Sequence, residues 1–145
     1  MDNLFLNAMD TQDVADINNI KLNKEFCLRL ISDLSKVFQT NHKVEDDKDF
    51  VKIKMKTSPD HNWYHCFYFI ANKDAILFSC NVLTYKNKVG HLYDKYKVNL
   101  GTKKNGDDFA NYNINIFIDR YDVMLSDKLK DIVELMNLNG FKKIF

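Results

Sequence analysis

Val51-Lys52-Ile53-Lys54-Met55-Lys56 alternates apolar and cationic side chains one for one. Successive side chains of a strand point to opposite faces. The run therefore predicts a strand with one buried and one wet face, the signature of an antiparallel sheet layered on one side. Thr57-Ser58-Pro59-Asp60 follows as a turn, since proline presets φ and the short polar side chains bond the local backbone.

Two β-rich runs come next, Trp63 to Ala71 and Ala75 to Leu83, joined by Asn72-Lys73-Asp74. A short polar loop between such runs predicts a hairpin. In the first run Tyr64, Cys66, Tyr68 and Ile70 share one face, and Trp63, His65, Phe67 and Phe69 the other. Both faces are largely apolar, which predicts a central strand covered on both sides. Further on, Tyr112, Ile114, Ile116 and Ile118 alternate with Asn113, Asn115 and Phe117 and give a fourth strand.

Helical spacing brackets these strands. Phe26, Cys27, Leu30, Ile31, Leu34, Val37 and Phe38 form a buried stripe, which predicts a helix from Lys24 to Gln39 with Asn23 as its N-cap. Leu129, Ile132, Val133 and Met136 form a second stripe, with Ser126 as N-cap and Gly140 as terminator. Phe141, Ile144 and Phe145 are then expected to tuck back onto the body. Val89, Leu92, Tyr93 and Tyr96 fit a short helix within Tyr85 to Lys97, although Gly90 costs about 1 kcal/mol there. Val44 to Asp49 is expected as a charged link and Asn99 to Asp108 as a loop.

The resulting expectation is a single α+β domain over residues 23–145 behind an arm of residues 1–22. An antiparallel sheet of about four strands is flanked by N- and C-terminal amphipathic helices, in the order α-β-β-β-(α)-β-α. In that order alone the chain is similar to the small chaperones of bacterial secretion systems. It carries no motif of that family, and those proteins are typically acidic. Likeness of order does not carry function.

A chain of 145 residues buries enough surface to fold without disulfide or metal staples. Only Arg29 and Arg120 among the 21 basic residues are arginine. With the abundance of Lys, Asn and Ile, this points to a low-GC genome, such as a bacterium, phage or large virus. A net charge of +1 gives no global field for nucleic acid or membrane. No apolar window is long enough to span a bilayer, and no signal peptide is legible at the start. Cys27, Cys66 and Cys80 are an odd set without short spacing, expected as reduced thiols in a cytoplasmic setting.

Catalytic constellations fail on geometry. His61 and His65 have zinc-like spacing, but on a strand they stand roughly 13 Å apart at ~3.3 Å per residue, too far to share one metal. Cys27 and Cys66 read as core, and no base is placed beside either or Cys80 by the sequence. Pro59-Asp60 lacks the second acid and the lysine two residues beyond it that metal-dependent nuclease chemistry requires. Gly101 to Gly106 has Asp107-Asp108 where a phosphate loop needs Lys and Ser/Thr. No catalytic residue, metal or cofactor is expected.

The sequence expectation is a non-enzymatic protein-binding module: a regulator, inhibitor or chaperone-like partner. Leu4, Phe5, Leu6 and Met9 of the arm, or an open sheet edge, would meet another protein or a second copy in a homodimer. The alternative is a nucleic-acid-associated protein using Lys86, Lys88, Lys95, Lys97, Lys103 and Lys104, set among tyrosines with Asp94 the sole acid between Tyr85 and Asn105.

Overall fold

A computed structural model of the chain describes residues 11–57, 67–93, 95–96, 98–103 and 109–144. Helix α1 (Thr11–Val37) precedes four strands that run as a meander: β1 (Asn41–Asp46), β2 (Val51–Lys56), β3 (Phe67–Ala71) and β4 (Ile76–Tyr85). Helix α2 (Lys86–Tyr93) leads to β5 (Val98–Lys103), β6 (Phe109–Ile118) and helix α3 (Leu125–Leu138). The six strands stand in the order β1-β2-β3-β4-β6-β5, every neighbouring pair antiparallel. The chain is thus one α+β unit.

The wet-face alternation of Val51 to Lys56 holds: Val51, Ile53 and Met55 are buried and the lysines between them are not. Their face continues through Phe67, Phe69 and Ala71 on β3, Ile76, Phe78, Cys80 and Val82 on β4, and Tyr112 to Ile118 on alternate positions of β6. Cys27, Leu30, Ile31 and Leu34 of α1, and Phe38 just past its end, join the same cluster. So do Val89 and Leu92 of α2 and Ile132, Leu135 and Met136 of α3. Phe78 lies at its centre, with ring centroids 5.0 Å from both Phe67 and Phe69.

Several expectations need correction. The segment from Val44 to Asp49 is not a link, because its first residues belong to β1; neither is Asn99 to Asp108 a simple loop, since β5 runs from Val98 to Lys103. β1 is an edge, and an edge strand shows charge on both sides of its pleat. The sheet accordingly has six strands rather than about four. The twofold covering expected of β3 is absent among the described residues: Tyr68 and Ile70 are only partly buried, whereas Phe67, Phe69 and Ala71 face the helices.

Helix α1 begins at Thr11, so part of the expected arm is helical; residues 1–10 lie outside the described residues. Asn23 consequently caps nothing. It is buried mid-helix and donates from Nδ2 to the Asn72 carbonyl at 2.7 Å. Asn72 in turn accepts at Oδ1 from the N–H groups of Asp74 and Ala75, at 2.9 and 3.1 Å, which shapes the β3–β4 hairpin. Ser126 is likewise not a cap, because α3 starts one residue before it and Met124 holds that position without a side-chain bond.

Gly140 ends α3 as expected, at φ +84°, with Phe141 N–H donating to the Met136 carbonyl. The turn sends Phe141 into the core and against Phe67, at 4.7 Å between ring centroids. The chain then pairs with the end of α1 through Gln39 N–H to Lys142 O and Ile144 N–H to Val37 O, each 2.8 Å. Phe145 lies outside the described residues. No helix among the described residues is long and apolar enough to cross a membrane.

Removing the central ring should be costly. Phe78→Ala is expected to destabilise the fold by about 3–5 kcal/mol, read as a lowered denaturant midpoint with an unchanged slope; a loss under about 1 kcal/mol would displace Phe78 from the centre of the core.

Candidate protein-interaction surfaces

The lysine-rich stretch finds its counter-charge within the chain. Lys95 pairs with Asp127 and with Asp131, the latter at 2.7 Å, and the Tyr96 hydroxyl donates to the same Asp131 oxygen at 2.5 Å. His91 Nε2 stands 2.7 Å from Glu134. The acids all belong to α3, so the local charge asymmetry of the sequence is in part the seam between two helical segments. The two aspartates hold the Lys95 ammonium well above the usual lysine range. Burial, followed by the bond to Asp131, pushes the Tyr96 phenol up as well. Lys88 is exposed on α2, Lys86 opens that helix and Lys103 closes β5. Lys97 and Lys104 lie outside the described residues, as do Leu4, Phe5, Leu6 and Met9.

Cys27 and Cys80 are buried free thiols, each pushed up to about 12 by burial. Burial keeps both thiols protonated at neutral pH, the weakly nucleophilic form. Cys66, His61 and His65 lie outside the described residues. Among the described residues, no group of three or more His, Cys, Asp or Glu side chains is placed to share a metal ion.

Apolar side chains gather in water at one end of the sheet instead. Between β6 and α3 the segment Asp119-Arg120-Tyr121-Asp122-Val123-Met124 turns sharply. Tyr121 is 80 % exposed, Val123 94 % and Met124 53 %. The turn is tied down. Asp119 Oδ1 accepts from Tyr121 N–H and Asp122 Oδ1 from Met124 N–H, both at 2.9 Å. Lys128 reaches from α3 to the Asp122 carboxylate and to the Phe117 carbonyl, the latter at 2.7 Å. The Arg120 guanidinium lies 5.3 Å from the Tyr121 ring centroid, and its Nη2 donates to Asn19 of α1 at 3.4 Å.

That tip is continuous with a hollow. A notch lined by Asn19, Asn23, Lys73, Asp74 and Tyr121 shares Lys73 and Asp74 with a cleft of about 750 Å³, whose apolar lining is Ile17, Ile20, Phe50 and Ile70. Lys73 and Asp16 form an ion pair at 3.5 Å at that cleft. One end of the molecule therefore presents an apolar hollow, a polar notch and a braced apolar tip in sequence. Aromatic and methionine side chains exposed on a fixed backbone are the composition of interface centres. Bracing the tip in advance lowers the ordering cost of binding.

None of the tip residues stands out in the sequence. Tyr121, Val123 and Met124 lie in no periodic segment, and only the Asp at the start of each turn carried a signal, the local backbone bonding of an Asx turn.

Two measurements probe the braces. Tyr96→Phe removes one hydrogen bond to a carboxylate and should cost about 1 kcal/mol in denaturant unfolding; an unchanged midpoint would mean the bond contributes nothing. Asp122 is held below the usual carboxylate range by Lys128, then by the Met124 N–H. Its contribution is therefore full above the unfolded value near 3.9 and is lost as pH falls through the lower folded value. Lys128→Met should flatten the dependence of stability on pH below about pH 4; parallel profiles would detach Asp122 from Lys128.

No protein-family model, curated protein or solved structure matches the chain.

Proposed function

We propose that this chain is a non-enzymatic protein-binding module, a regulator, inhibitor or chaperone-like partner. Its working surface is the end of the sheet that carries the hollow and the tip. The observation that carries this reading is the apolar side chain set of Tyr121, Val123 and Met124, held in water by a turn with its own hydrogen bonds. A partner supplies an apolar pocket for the tip and an apolar segment for the cleft around Ile17 and Phe50. The buried thiols Cys27 and Cys80 suit work in a reducing, cytoplasmic compartment. The lysine- and asparagine-rich usage suits a low-GC source.

The test compares proteins captured by the immobilised wild-type chain with those captured by Tyr121→Asp/Val123→Asp. Both positions are exposed, so the double variant keeps its fold, which its thermal unfolding checks. A protein retained by wild type and by Lys88→Glu, and depleted at least tenfold by the double variant, is the expected result. Capture that ignores the double variant overturns the assignment of the surface. Recovery of nucleic acid that Lys88→Glu abolishes would overturn the protein-binding reading in favour of the basic segment.

A further inference from the structure

β1 is an edge of the sheet, and among the described residues it pairs with β2 alone. An edge strand presents a row of backbone donors and acceptors to any further strand. Lys43 and Glu45 lie on the solvent face, opposite Lys54 and Lys52, while His42, Val44 and Asp46 lie on the helix face, opposite Met55, Ile53 and Val51. On the helix face the layer thins towards this edge. A groove of about 300 Å³ runs between α1 and β1, lined by Leu28, Ile31, His42, Val44 and Ile53. Leu28 is 45 % exposed and Val44 46 % exposed, so two aliphatic side chains stand in water beside an open ladder.

We propose that this edge pairs with the same strand of a second copy, antiparallel about a twofold axis at Val44, joining two sheets into one. Symmetric dimers use one patch twice, so the patch must complement itself. Few registers are open to a six-residue strand. Centring on Lys43 sets lysine against lysine, and centring on Glu45 sets glutamate against glutamate. A register displaced by half a pair sets a helix-face residue against a solvent-face residue, which inverts the layers of the second copy relative to the first.

Centred on Val44, every pair is complementary. Val44 meets Val44 of the second copy, Lys43 meets Glu45 of the second copy, and His42 meets Asp46 of the second copy. Symmetry repeats the latter two. Glu45 accepts from Lys54 at 2.9 Å within its own chain, and that bond, with the nearby Lys43 and Lys52, keeps its carboxylate low and ionised. A lysine on an edge ordinarily repels a neighbouring strand. Here the same lysine excludes the register centred on itself and supports the one centred on its neighbour. The paired valines bring the two apolar grooves together across the axis, where Leu28 of each copy flanks them.

Sedimentation equilibrium on the full chain tests the pairing. Wild type is expected at twice the 17.1 kDa chain mass. Lys43→Glu and Glu45→Lys, each folded by circular dichroism, should weaken dimerisation at least tenfold when measured alone. Mixed together they should associate as wild type does, because each strand then meets the opposite charge. As a readout independent of charge, Val44→Cys should form a disulfide with itself under mild oxidant, since residues directly opposite have Cβ atoms about 4.5–5.5 Å apart. Lys43→Cys, which faces Glu45 of the second copy, should not. A wild-type chain that stays monomeric at high micromolar concentration overturns the proposal. A dimer that ignores both charge reversals overturns it equally. Tyr121→Asp/Val123→Asp should leave the dimer intact, so this proposal and the tip's assignment fail or stand separately.

Discussion

Val44 faces Ile53 across the first pair of strands, Ile53 faces Phe69, Phe69 faces Phe78, and Phe78 faces Ile116. That single row crosses five strands, and all but its edge member are fully buried under the helices. Side chains alternate with a period of two, so a slip of one residue in any strand would exchange its apolar set for lysines on β2 or asparagines on β6. The helices depend on the face this row runs through, because their apolar stripes pack into the same buried cluster. The hairpin turn depends on it in turn: Asn23 reaches the Asn72 carbonyl only because α1 is seated over the sheet.

Around that core, polar side chains act mainly as fixings between elements. Asn23 joins a helix to a hairpin, Lys128 joins α3 to the end of β6, and Lys95 joins the segment after α2 to α3. Each places a charge or amide where backbone groups or opposite charge would otherwise face water or each other. The consequence for function is positional. The tip at Tyr121 to Met124 keeps its shape through neighbours on α1 and α3, and the edge at β1 keeps its alternation through its pairing with β2. Both surfaces are built on ordered backbone, and they share no residue.

The parts of the fold legible in the sequence are those where burial is one-sided and periodic. Val51 to Met55 and Tyr112 to Ile118 announced strands, and Cys27 to Phe38 and Leu129 to Met136 announced helices, because each has a wet side to contrast with a dry one. β1 and β5 were illegible for the opposite reason. Asn41-His42-Lys43-Val44-Glu45-Asp46 has one apolar residue, as an edge strand requires little more, and its strand character comes from pairing with β2. The start of α1 is not legible because Asp and Asn interrupt its apolar residues, of which Val14 and Ile17 stand exposed. The tip was hidden more deeply, since exposure is a property of the packed chain and Val123 reads like any core residue.

β6 is made late but sits in the interior of the sheet, between β4 and β5. Its ladder with β4 runs the full length of both strands, from Tyr85 opposite Phe109 to Ile76 opposite Ile118. During synthesis at ~5–20 residues per second, β4 emerges and then waits on the order of seconds with one side unpaired while α2 and β5 are laid down. A four-stranded meander formed in that interval would have two open edges and an apolar face covered by α1 alone. A ribosome that stalled or stopped before Phe109 would release a chain whose longest strand lacks its main partner, a species suited to pairing with another like itself.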